Sequence, residues 1–179
     1  MLTELHRRMD HLISLTARGF AAALLAGLFT VHCAAAIKVG DTFPDLASFK
    51  VEGKLPELLK GKVVMIDFWA SWCDPCKESF PAMEDLQKRL GPKGLIIIAV
   101  NVDEDRKEME DFLKKNVPSP SFTLVRDATQ KLVEKAGITT MPGSFLIDRE
   151  GKVRFVHNGY RGDETKKKYE QEIEALLKK

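Results

Sequence analysis

Val63 to Trp69 is an apolar run broken by a single acid, Asp67, and it leads within three residues into Cys73-Asp74-Pro75-Cys76. This junction constrains the fold more than any other stretch. A near-continuous apolar run of strand length is buried on both faces, which places it in the middle of a sheet. After it, from about Asp74 to Leu90, Phe80, Met83, Leu86 and Leu90 recur at helical spacing. Two thiols separated by two residues therefore stand where a central strand hands over to a helix. At such a helix start the backbone N–H groups point outward and the dipole favours negative charge. A thiolate is stabilised there, and the thiolate is the form that attacks disulfides. Cys-x-x-Cys in this setting is the arrangement of a redox dithiol.

The 179 residues suffice for one domain. Lys and Arg number 28 against 26 Asp and Glu, a near-balance that argues against a nucleic-acid binder. Neither G-x-x-x-x-G-K-[ST] nor G-x-G-x-x-G occurs, so no nucleotide is implied. Residues 1–36 differ in kind. Arg7, Arg8 and Arg18 precede an apolar run from Gly19 to Val31, and Ala34-Ala35-Ala36 supplies small residues before a cut after Ala36. That pattern describes a secretory signal peptide. An uncleaved membrane anchor is the alternative, although the run falls short of the ~20 residues a spanning helix needs. Cleavage removes Cys33 and leaves Cys73 and Cys76 as the only cysteines of residues 37–179. Export places such a pair where disulfides persist.

Residues 37–61 read as an irregular segment with short strands, punctuated by Phe43-Pro44, Gly53 and Gly61. Leu95 to Val102 is a second buried strand, and a helix is expected over about 106–116. A short strand at 122–125 and a short helix at 128–136 follow, then a hairpin of 143–148 and 152–157. Asp163 is the expected cap of a final helix with Tyr169, Ile173, Leu176 and Leu177 inward. Alternating strands and helices closed by a hairpin give an α/β fold, a mixed central sheet with helices on both faces.

Each candidate residue has a chemical reason. Cys73 is the nucleophile that forms a mixed disulfide, and Cys76, one helical turn on, resolves it. Pro75 suits a helix's first turn, and Asp74 sets a carboxylate beside Cys73 that disfavours its thiolate. A less stable thiolate makes the dithiol the better reductant, whereas the helix N-terminus acts in the opposite sense. The balance favours a reductase over an oxidase. Asp67, inside an apolar strand, tends to hold a proton unless a partner compensates its burial, and the alternative is a bond to backbone at the strand end. Trp72 offers an apolar rim, Trp69 packs beneath, and His157 reads as a surface residue at a strand end. A tetrahedral metal site needs four ligands, and residues 37–179 offer two thiols and one histidine, so no metal is assigned.

Ile66-Asp67-Phe68-Trp69-Ala70-Ser71-Trp72-Cys73-Asp74-Pro75-Cys76-Lys77, with Thr140-Met141-Pro142 downstream, resembles the thioredoxin superfamily, and the chain from about 40 to 178 is most similar to its TlpA/ResA-type branch. The resemblance implies a thioredoxin-like fold with an inserted αβ unit at roughly 104–126. It implies that Asp67 takes and returns the Cys76 proton, and that Pro142 is cis. The Met141 backbone would then pair with an extended substrate segment, with Thr140 and Trp72 beside it. It further implies a protein disulfide as substrate, a membrane thiol transporter as electron donor, a periplasmic location and no organic cofactor, and a monomer is expected. Cytochrome c maturation, copper-site assembly or general thiol reduction are the tasks such proteins serve. One departure stands out: the branch often places an acid three residues after the second cysteine, where this chain has Ser79, and Glu78 one step earlier points about 100° away. Two rivals differ in class. A peroxiredoxin-like peroxidase would need a Thr shortly before its cysteine, where Ser71-Trp72 stand; a copper carrier would use Cys73, Cys76 and His157 or Met141.

Overall fold

The computed structural model describes residues 36–179, so the expected leader, save Ala36, lies outside the described residues. Five strands form one sheet in the order β3-β2-β1-β4-β5. They are β1 (Val63–Trp69), β2 (Leu95–Asn101), β3 (Thr123–Arg126), β4 (Gly143–Ile147) and β5 (Val153–Asn158). β1 runs parallel to β2, and β2 to β3; β4 is antiparallel to both β1 and β5. The helices are α1 (Asp74–Leu90), α2 (Arg106–Asn116), α3 (Lys131–Ala136) and α4 (Asp163–Leu177).

Every residue of β1 is buried, as its central place demands. Alternation sends Met65, Asp67 and Trp69 to one face and Val64, Ile66 and Phe68 to the other. On the first face Trp69 meets Phe80 of α1 edge-on, with ring centroids 4.9 Å apart, and Phe112 of α2 at 5.1 Å. Tyr169 of α4 closes the same face through Ser144 of β4. On the second face Phe68 packs on Phe145, which meets Phe43 of the N-terminal segment at 5.3 Å. Helices therefore cover one face, and the N-terminal segment with its 3-10 turn Leu46–Phe49 and α3 covers the other. This is a mixed sheet with both faces buried, as the sequence pattern implies.

The α2–β3 unit occupies the place expected of the insertion, and it supplies the edge strand. That edge is blunted: Glu52 exchanges two backbone hydrogen bonds of 2.8 Å with Arg126, and its carboxylate accepts from the Arg126 guanidinium at 3.0 and 3.2 Å. The burial here takes the guanidinium out of water, and the paired carboxylate with two further carbonyl acceptors, Asp103 and Glu104, satisfies it.

Three expectations are corrected. The short helix begins at Lys131, not Ala128, because Gln130 sits in the left-handed region at φ 60° and breaks the helical run before it. Asp127 caps it instead, accepting from the N–H groups of Leu132 and Val133 at 2.8 and 2.9 Å. Asp163 is the first residue inside α4 rather than its cap, since Gly162 takes the cap position at φ 57° and ψ −133°, a conformation open chiefly to glycine. Asp163 contributes there as a first-turn acid. Residues 37–61 contain isolated bridges at Thr42 and Glu52 in place of short strands.

Candidate active site

Cys73 occupies the N-cap of α1, with extended backbone at φ −95° and ψ 101°. Its Sγ accepts a hydrogen bond from the Cys76 backbone N–H at 3.2 Å. Sulfur thus takes the place that a serine or aspartate oxygen takes in an ordinary cap. Cys73 and Cys76 are joined as a disulfide. Cys73 retains 5% exposure and Cys76 none, so an incoming thiolate or disulfide reaches Cys73 first. Asp74 and Pro75 complete the first turn and are exposed, and Glu78 is exposed as a surface acid. Ser79 is buried and donates to the Cys76 carbonyl at 2.8 Å.

The turn that carries Trp72 into Cys73 is fixed from β2. The Ser71 N–H lies 3.1 Å from both carboxylate oxygens of Asp103. Asn101 donates its side-chain amide to the same carboxylate at 2.8 Å and accepts from the Asp103 N–H at 3.1 Å. Asp103 is buried, so these contacts replace its lost hydration. The sequence reading missed this pair. The available signal was an Asn and an Asp two residues apart where a buried strand ends, a polar pair too costly to bury without a task.

Asp67 is fully buried on the face that carries α1 and its dithiol. Burial is the main force on its carboxyl and pushes it up to about 7, against a smaller opposing pull from the Ser144 hydroxyl. Ser144 Oγ donates to Asp67 Oδ1 at 2.5 Å, and Tyr169 Oη lies 2.7 Å from Ser144 Oγ. The partner is therefore a side chain on the neighbouring strand, not the backbone at the strand end.

Met141 and Pro142 are joined by a cis peptide bond. Trp72, exposed at 69%, and Met141 line one cleft of about 650 Å³ together with Val102, Val133 and Ile138. Glu104, Asp105 and Glu108 of the inserted unit form its acidic side. Thr140 is exposed and Pro142 buried, and neither lines that cleft. Trp69 belongs to the aromatic core with Phe80 and Phe112. His157 corrects the surface reading: it is half-buried, with Nε2 2.5 Å from Glu172 Oε2 and its ring edge-on to Tyr169 at 4.9 Å. β5 turns this side chain onto α4, which a strand-end position in the sequence does not reveal. Among the described residues no group of three or more His, Cys, Asp or Glu is placed to hold a metal ion.

A strand–dithiol–helix unit on this sheet, with a cis-proline loop, is a thioredoxin-like redox centre. Comparison with known proteins agrees. The Redoxin family profile matches residues 38–173. Thiol-disulfide oxidoreductase ResA of Bacillus thuringiensis (strain Al Hakam) is 35% identical over 145 residues, covering 80% of this chain and 79% of the relative. Its counterpart in Geobacillus thermodenitrificans (strain NG80-2) is 33% identical over 167 residues, covering 92% and 91%. A Chlorobium tepidum structure described as thiol:disulfide interchange protein DsbE superposes with a TM-score of 0.71 at 37% identity, over 79% of this chain and 99% of that one. The chain belongs to the Redoxin family and, within the thioredoxin superfamily, to the TlpA/ResA-like thiol–disulfide oxidoreductases.

Proposed function

We propose that this protein reduces protein disulfides in the periplasm, with Cys73 as nucleophile and Cys76 as resolving thiol. The observation that carries the roles of the two thiols is the Cys76 N–H aimed at Cys73 Sγ at the start of α1, with Cys76 shielded behind it. In the reduced protein the Cys73 thiolate attacks one sulfur of the substrate disulfide, and the other sulfur leaves as a thiolate. Cys76 then gives its proton to Asp67 and attacks Cys73 Sγ, releasing the second substrate thiolate. Two electrons pass to the substrate, and the Cys73–Cys76 disulfide remains. A membrane thiol transporter returns the electrons by the same exchange in reverse, and no organic cofactor or metal takes part.

The cleft between Trp72 and Met141 receives an extended segment of the substrate, with the Met141 backbone as pairing strand and the cis bond to Pro142 setting the direction of that backbone. Asp74 is exposed beside Cys73, and its charge favours the disulfide form of the pair. The protein acts as a monomer delivered by its leader, and its clients are disulfides whose thiols are needed for cytochrome c maturation, for metal-site assembly or in general thiol reduction. Equilibration with glutathione tests the direction. The expected potential lies nearer the about −270 mV of thioredoxin than the about −120 mV of DsbA. A value at the DsbA end contradicts a reductase. Fractionation tests the location, with the protein expected in the periplasmic extract.

A further inference from the structure

Asp67 has two oxygens in different circumstances. Oδ1 receives the Ser144 hydroxyl at 2.5 Å, whereas Oδ2 has no hydrogen-bond partner among the described residues. We propose that Ser144 and Tyr169 form a donor relay that ties Oδ1 to the sheet and leaves Oδ2 as the atom that exchanges a proton with Cys76. This rests on the reading of Asp67 as the proton acceptor of the resolving step.

Proton counting fixes the direction of the relay. An ionised carboxylate accepts only, so the single hydroxyl proton of Ser144 goes to Oδ1. Ser144 then has only lone pairs to offer Tyr169, 2.7 Å away, and the phenol must be the donor. Burial pushes the Tyr169 phenol up, which keeps it protonated and donating. The relay thus runs Tyr169 to Ser144 to Asp67, across α4, β4 and β1, and all three residues are buried.

Among the described residues nothing but Ser144 pulls toward the charged carboxylate. No Lys or Arg forms an ion pair with Asp67 among the described residues. His157 on β5 faces Tyr169, but its Nε2 is engaged by Glu172 of α4. Tyr160 stands farther out, its ring centroid 6.3 Å from that of Tyr169. Cys76 of α1 is itself fully buried. Two neutral hydroxyls therefore do the work that a cation does beside an ordinary buried acid, and they do it on one oxygen only.

The relay itself transfers no proton. Cys76 S–H loses its proton to Oδ2, and the sulfur attacks Cys73 Sγ of the mixed disulfide. A Cys73–Cys76 bond forms, the bond to substrate breaks, and the substrate sulfur leaves with the electron pair. Asp67 returns the proton when the dithiol is regenerated.

The test uses the full chain with ¹³C-labelled aspartate carboxyls, the Asp67 signal being assigned by its loss in Asp67→Asn. In Ser144→Ala the Asp67 titration midpoint is expected to rise by about one unit, because the hydrogen bond that favours its charged form is gone. Tyr169→Phe moves it in the same direction by less, and decides the matter alone if Ser144→Ala does not fold. A midpoint unchanged in the folded variants overturns the relay. Resolution of a preformed mixed disulfide is followed in parallel by stopped flow. If the midpoint moves and the rate profile moves with it, relay and acceptor role both hold. If the midpoint moves while the rate keeps its profile, the relay stands and Asp67 is removed from the proton transfer.

Discussion

The backbone N–H of Cys76 points at the Sγ of Cys73, 3.2 Å away, so the resolving residue caps the very sulfur it bonds to. The two thiols are thereby made unequal. In the disulfide form Cys73 Sγ has an N–H donor and the positive end of a 17-residue helix, whereas Cys76 is enclosed, and the same cap is available to the Cys73 thiolate after reduction. Iodoacetamide at neutral pH is therefore expected to alkylate Cys73 at least about tenfold faster than Cys76. Peptide mass mapping of the partly modified protein reads the ratio, and equal labelling would contradict the asymmetry.

Asp67 makes stability depend on pH in a direction opposite to that of most carboxylates. Its folded-state value, about 7, lies above the ordinary 3.8. Below about pH 4 both folded and unfolded states hold the proton, and burial of the neutral acid is tolerated. As the pH rises from about 4 to about 7, the unfolded chain ionises first and the folded state loses ground, by at most about 4 kcal/mol. Asp67→Asn should flatten that slope. Its melting temperature is expected to exceed that of the wild type at pH 8 but not at pH 4, and scanning calorimetry at the two values checks this.

Asp103 is tied to activity through a turn rather than through contact with sulfur. Truncation in Asp103→Ala strips the Ser71 N–H and the Asn101 amide of their acceptor. A loss of about 3 kcal/mol in folding stability is expected from buried groups left unpaired. The turn bearing Trp72 and Cys73 loosens as well, so kcat/KM should fall by up to about a hundredfold, a drop of the size that misplacement away from the chemistry produces. Urea unfolding and disulfide-reduction kinetics read the two effects separately.

Trp72 presents the reverse case. With 69% of its surface exposed it contributes little to the fold, and it stands on the cleft wall. Trp72→Ala is expected to leave stability within about 0.5 kcal/mol while raising KM for a protein disulfide about tenfold, as loss of an aromatic anchor does. A small-molecule disulfide, which needs no docking surface, should show almost no change.

Periodicity revealed much of this architecture. The bounds Val63–Trp69, Asp74–Leu90 and Arg106–Asn116 are legible because apolar runs and apolar spacing are regular there. Cys73 and Cys76 announce themselves by placement at a strand-to-helix junction, and Asp67 by being the single charge in a buried strand. What stayed hidden depends on neighbours remote in sequence. Ser144 lies 77 residues from Asp67 and Tyr169 another 25 on, and only the β1–β4 register brings them together. Asp103 reaches Ser71 across 32 residues by the parallel pairing of β1 and β2. The late start of α3 and the cap of α4 turn on the left-handed backbones of Gln130 and Gly162, which local composition does not signal.

The most direct test of a nucleophilic Cys73 resolved by Cys76 is to mix reduced Cys76→Ser protein with a disulfide-bonded protein and analyse the product by mass under non-reducing conditions. A stable one-to-one adduct joined through Cys73, absent when Cys73→Ser is used instead, is the expected result. An adduct that persists without Cys73, or none from either variant while the wild type still reduces the substrate, would contradict the account.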